Sequence, residues 1–149
     1  MLSAPRLERA FMNYDIKVIA ASPDLVRQQA AKVLDRPDKI GAIVSMAERL
    51  ATEDWSSYRS RLTGQNHLDF MQSLPWIGGT NRYHLARNIG LDYAKPDRLM
   101  CRVAERFGYE SNQGGVFAMV RDIKESTGER EGVIDIVLWR YEVEGRRLE

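Results

Sequence analysis

Through most of the chain, apolar residues recur at intervals of three and four, the period of helices with one face inward. Ser22-Pro23-Asp24 signals a helix start, and the run to Leu34 turns Leu25, Val26, Ala30 and Val33 or Leu34 to one side. Residues 37–50 repeat the pattern with Ile40, Ile43, Val44, Ala47 and Leu50. Asp54 is placed to cap a short helix carrying Trp55, Tyr58 and Leu62, which 64–66 break before Leu68, Phe70 and Met71. Tyr83, Leu85, Ala86 and Ile89 form a stripe that Gly90 ends, and Leu99, Met100, Val103, Ala104 and Phe107 form another that Gly108 ends. After a polar loop at 109–115, residues 116–126 and 132–143 predict two closing helices, the second with Ile134, Val137, Leu138 and Tyr141 together. Its run 134–139 suits a buried strand equally well by β-propensity. No repeat or low-complexity segment interrupts the chain, and 149 residues suffice for one domain with a real core. The pattern therefore predicts an all-α, multi-helix bundle forming a single domain over 1–149.

Two passages between these helices carry candidate chemistry. In Leu74-Pro75-Trp76-Ile77-Gly78-Gly79-Thr80 the two glycines allow a sharp turn between a helix ending near Ser73 and one starting near Thr80. Amide N–H groups at such a helix start can hold a phosphate without any basic side chain, a contact blind to base sequence. An ordinary turn between antiparallel helices would read the same way. Nineteen residues after Gly78, in Lys95-Pro96-Asp97-Arg98-Leu99, the proline favours a helix starting at or beside Asp97. Asp97 is then at least a helix cap.

The glycine turn followed by a distal aspartate and an amphipathic helix resembles, over about residues 72 to 108, the helix-hairpin-helix DNA glycosylase superfamily, the endonuclease III-like base-excision repair enzymes. The family pattern runs Leu-Pro-Gly-(Val or Ile)-Gly, an aspartate near twenty residues on, and a helix after it. The resemblance implies an orthogonal multi-helix bundle with a helix-hairpin-helix motif, and hydrolysis of the N-glycosidic bond of a damaged or mismatched base. It gives Asp97 the role of stabilising the cationic sugar, or orienting the attacking water, as the base leaves. That chemistry needs a fixed negative charge near the anomeric carbon. Ile77, Gly78, Gly79 and Thr80 would hold a DNA phosphate, with a monovalent cation at the hairpin as in relatives, and 37–50 would be the barrel helix that precedes it.

The chain departs from the pattern at three places. Trp76 replaces the first hairpin glycine, and bulky residues occur there in some mismatch-directed members. Bifunctional members carry a Schiff-base lysine two residues after the second glycine; Thr80 stands there, so the resemblance implies a monofunctional enzyme without strand cleavage. Arg82 stands where the family prefers a small residue. Lys95 occupies no family lysine position and reads as a solvated or phosphate-facing charge. Upstream of residue 30 nothing matches the segment that carries the family's DNA wedge, so a partner subunit or homo-oligomer completing the cleft stays open.

The net charge is +1, which excludes a generally basic nucleic-acid coat. Yet 74–107 hold six basic residues, Arg82, Arg87, Lys95, Arg98, Arg102 and Arg106, against Asp92, Asp97 and Glu105. That local excess surrounds the turn, and with Trp76 at its tip it makes Arg82, Lys95 and above all Arg98 candidate contacts to double-stranded DNA. Trp55, Trp76 and Trp139 are candidates to stack on an extruded base, though large aromatics are more often core. Cys101 is the only cysteine, which excludes a disulfide and a four-cysteine iron–sulfur cluster, and His67 and His84 are not spaced as a zinc motif. No stretch approaches the ~20 apolar residues of a membrane helix, and residues 1–21 mix charges into their apolar positions, unlike a signal peptide. The expected location is the cytoplasm, on the nucleoid. The terminal Leu148-Glu149 reads equally as native sequence or cloning scar. Beside the glycosylase, two readings remain: a non-catalytic helix-hairpin-helix DNA-binding module, and a helical interaction protein.

Overall fold

The computed structural model describes residues 4–145; Leu148 and Glu149 lie outside them. The described residues form ten helices and no strand: α1 Ala4–Ala10, α2 Ile16–Ala21, α3 Pro23–Ala31, α4 Pro37–Thr52, α5 Trp55–Thr63, α6 His67–Gln72, α7 Asn81–Asn88, α8 Arg98–Arg106, α9 Gln113–Thr127 and α10 Glu131–Val143. The fold is all-α, and the run 134–139 that suited either element is helical, inside α10. These helices fall into two compact units, one holding α1 to α5 with Ser73–Trp76, the other holding α6 and the chain from Ile77 onward.

In the first unit α4 is the shared support, with α2 and α3 both packed on it. Ile40, Val44 and Ala47 lie one turn apart along α4 and close over Phe11, Ile19, Val26 and Ala30. Leu25 was expected to join them but is 47% exposed, because it lies about 100° round the helix from Val26. Ile43, at the edge of the α4 stripe, is also exposed, as is Trp55 on α5. Helices in the first twenty residues were not foreseen. Asp15 caps α2, its Oδ1 accepting from the amides of Lys17 and Val18 at 2.9 and 3.2 Å. Between α1 and α2 the residues Met12, Asn13 and Tyr14 have φ of 51, 54 and 59°, a left-handed turn. Left-handed backbone costs roughly 1–2 kcal/mol per L-residue, least for asparagine.

The second unit is built on α8, whose Met100, Val103 and Ala104 pack with Val116, Met119 and Val120 of α9 and Ile134 of α10. The expected stops hold: Gly90 and Gly108 take φ of 96 and 84°. At each, the following residue donates back across the last turn, Leu91 to the carbonyl of Ala86 and Tyr109 to that of Ala104, both at 3.0 Å. Helix α9 starts at Gln113, earlier than the expected residue 116, because Asn112 caps it by accepting from the amide of Gly115 at 3.0 Å. Gly115 is needed there: a Cβ would run into the carbonyl of Glu110. On α10, Ile134 faces the core, but Val137, expected beside it, is 59% exposed, and Phe107 and Ile89 likewise point outward.

Candidate functional site

The turn between α6 and α7 places its left-handed residue at Trp76, with φ of 66°, and not at a glycine. Neither Gly78 nor Gly79 has a positive φ, and a Cβ on either would meet nothing within 4 Å. The expectation that these two glycines make the turn through special backbone angles is therefore corrected. The strained position is instead Trp76, a bulky residue held at an angle that glycine would favour. Trp76 is 46% exposed, with the Arg36 guanidinium and the Lys39 ammonium 5.2 and 5.4 Å from its ring centroid. Ile77 is half-buried. Helix α7 then begins with the Arg82 amide donating to the carbonyl of Gly78 at 3.1 Å, and its N-cap residue Thr80 makes no side-chain capping bond. Its first amides are therefore left without a side-chain acceptor from the cap.

Asp97 caps α8 as the sequence predicts: Oδ1 accepts from the amides of Leu99 and Met100 at 3.0 and 3.1 Å. Its other oxygen, Oδ2, lies 3.5 Å from Nζ of Lys95. The fold brings this carboxylate to the wall of two depressions. One is an open groove of about 480 Å³ lined by Thr80, Pro96, Asp97, Arg98, Cys101 and Ser111, so the start of α7, the aspartate and the exposed Arg98 meet there. The other is a cavity of about 270 Å³ lined by His84, Arg87, Lys95, Asp97, Asp135, Ile136 and Trp139.

The cavity is organised by a buried charge. Asp135 of α10 is 1% exposed and forms an ion pair with Arg87 of α7, and its Oδ2 also accepts from the backbone amide of Lys95 at 3.3 Å. A buried carboxylate demands such partners. It thereby pins the stretch Lys95-Pro96-Asp97 to α10. Arg87 also donates to Nδ1 of His84 at 3.0 Å. Because a guanidinium can only donate, Nδ1 must accept, so the His84 ring is neutral with its proton on Nε2. Burial, and then the charges of Lys95 and Arg87, lower the His84 pKa below its usual 6.5 against an opposing pull from Asp97. Burial first, and then the charge of Asp97, push the Cys101 thiol up, which favours its protonated form.

The sequence-predicted residues thus divide. Thr80, Lys95, Asp97 and Arg98 converge. Arg82 is committed elsewhere: its guanidinium holds Gln72 at 2.7 Å and Asp69 at 3.4 Å and lies over the Tyr83 ring, tying α7 to α6. His84, Arg87 and Asp135 were missed. A lone aspartate inside the apolar run 133–138 was the available signal, since a charge on a core-facing stretch must find a partner. Trp139, 44% exposed, and Ile136 give the cavity an apolar wall. Among the described residues no group of three or more His, Cys, Asp or Glu could hold a metal ion, and no helix is long and apolar enough to cross a membrane. No family model matches the chain, and neither a curated protein nor a solved structure matches it.

Proposed function

We propose that the chain is a monofunctional DNA N-glycosylase acting on a damaged or mismatched base in double-stranded DNA. What supports the reading above all is the meeting of Thr80, Asp97 and Arg98 on one groove while Asp97 also lines a cavity with an aromatic wall. In the proposed reaction the bond from C1′ of the sugar to the base nitrogen breaks and the base takes the electron pair. Asp97 stabilises the cationic sugar, water adds its oxygen to C1′, and a water proton ends on the departing base. The start of α7, where the Thr80 side chain caps no amide, contacts a phosphate, with a monovalent cation there if the hairpin works as in the family, and Arg98 contacts a second. Trp139 and Ile136 offer the stacking surface for the extruded base. Such a protein would reside on the nucleoid in the cytoplasm.

The deciding experiment is a panel of duplexes carrying alkylated, deaminated, oxidised and mismatched bases, scored for abasic sites with the parent and Asp97→Asn. Base release by the parent and its loss in the variant are expected. With no recognisable wedge, release should be faster opposite a mismatch or gap, and a second-order dependence on protein would show a partner subunit completing the cleft. One observation favours a rival: both Asp97 oxygens have partners that a purely capping aspartate would also have. Salt-dependent duplex binding without base release would identify a non-catalytic DNA-binding module, and absence of DNA binding a helical interaction protein.

A further inference from the structure

The first unit carries a cleft of about 370 Å³ whose lining includes Arg6, Arg9, Met12, Leu25, Lys32 and Val33. Its charged lining is of one sign. Arg6, Arg9 and Lys32 are exposed, and among the described residues none of them is ion-paired; Arg9 donates to the carbonyl of Pro5 at 3.2 Å and Lys32 to Gln29 at 3.3 Å. Each has donors to spare. The rest of the lining is mostly apolar, with Leu25 left 47% exposed although the next residue of α3, Val26, is fully buried. Met12, which also lines the cleft, is the first of the three left-handed residues, and backbone held in such strain concentrates where ligands bind.

We propose that this cleft binds a small amphipathic anion, a carboxylate or phosphate-monoester head carrying an apolar chain. The head is held by Arg6, Arg9 and Lys32, and the chain covers Leu25, Met12 and Val33. A volume of about 370 Å³ lies within the usual range of small-molecule sites, and an apolar wall with a few convergent polar groups is their usual make-up. A DNA phosphate would satisfy the cations but would leave the apolar floor in water. All of the lining belongs to the first unit, so the proposal stands or falls independently of the Asp97 site.

The test is calorimetric titration of the full chain with octyl phosphate and octanoate below their micelle concentrations. Inorganic phosphate and neutral octyl glucoside serve as half-ligands, and duplex DNA and phosphatidylglycerol vesicles as competing surfaces. Binding of one octyl phosphate or octanoate per chain is expected, with each half-ligand at least ~10-fold weaker, about 1.4 kcal/mol in binding free energy. Lys32→Glu and Leu25→Ser, both at exposed positions and checked by circular dichroism for intact helices, should each weaken it by a similar factor. The proposal fails if inorganic phosphate binds as well as octyl phosphate, if neither substitution matters, or if Lys32→Glu weakens only duplex or vesicle binding while the amphiphiles do not bind.

Discussion

Arg87 of α7 and Asp135 of α10, far apart in the chain, form an ion pair whose carboxylate is almost wholly removed from water. The same carboxylate accepts from the Lys95 amide, two residues before Asp97. Removing one member of a buried pair leaves the other uncompensated, and Asp135→Ala should destabilise the protein by about 3 kcal/mol in urea unfolding. Asp135→Ala combined with Arg87→Met should recover much of that loss. Additive losses would show that the two side chains act independently.

Asp97 has two separable duties, and two substitutions divide them. Asparagine keeps an oxygen that can cap α8, so Asp97→Asn should unfold within about 0.5 kcal/mol of the parent while base release falls by orders of magnitude. Asp97→Ala loses the cap as well and should cost about 1 kcal/mol of stability. Unchanged base release in Asp97→Asn would remove the aspartate from the proposed chemistry.

His84 makes stability depend on pH in a definite direction. Its pKa in the folded protein lies below 6.5, so between the two values the unfolded chain binds more protons than the folded one. The neutral ring's contribution is therefore complete above pH 6.5 and is lost as the pH falls through the folded pKa. Melting temperature should drop from pH 7.5 to 5 more steeply in the parent than in His84→Gln, and an NMR titration of the ring should show a depressed midpoint. Equal slopes would detach His84 from Arg87.

The glycines are not equivalent. Gly115→Ala should destabilise by about 1–3 kcal/mol in thermal or urea unfolding, because the new methyl collides with the Glu110 carbonyl in the first turn of α9. Gly78→Ala should fold like the parent, since its Cβ meets nothing and its φ is not left-handed. If Gly78→Ala lowers duplex affinity at unchanged stability, it does so by obstructing the phosphate approach.

Thr80 supplies no amine, and Lys95 is held against Asp97. Abasic sites made by the protein should persist until heat or alkali cleaves them, and borohydride should trap no covalent complex. A trapped adduct lost in Lys95→Ala would make Lys95 the nucleophile of a strand-cleaving enzyme.

Most of the helices and several of their boundaries were legible in the amino-acid order, because they rest on contacts within four residues. Asp54 and Asp97 cap α5 and α8, and Gly90 and Gly108 end α7 and α8, as their positions in the pattern predict. Of the candidate site, Thr80, Asp97 and Arg98 could be named from spacing and resemblance, yet their approach to one groove could not, since it depends on how α7 and α8 pack.

What only the tertiary structure decided was every feature fixed by a distant neighbour. Val26 and Leu25 are both apolar, and only the position of α4 makes one core and leaves the other open. Nothing local assigns the left-handed angle to Trp76 in preference to the glycines that follow it, or turns Arg82 toward α6. Asp135 acquires its meaning when the packing of α7 and α10 removes it from water beside Arg87. Sequence determines the helices because their hydrogen bonds close within a turn. The site is settled by packing, because burial decides which charges must pair and which remain free for a ligand.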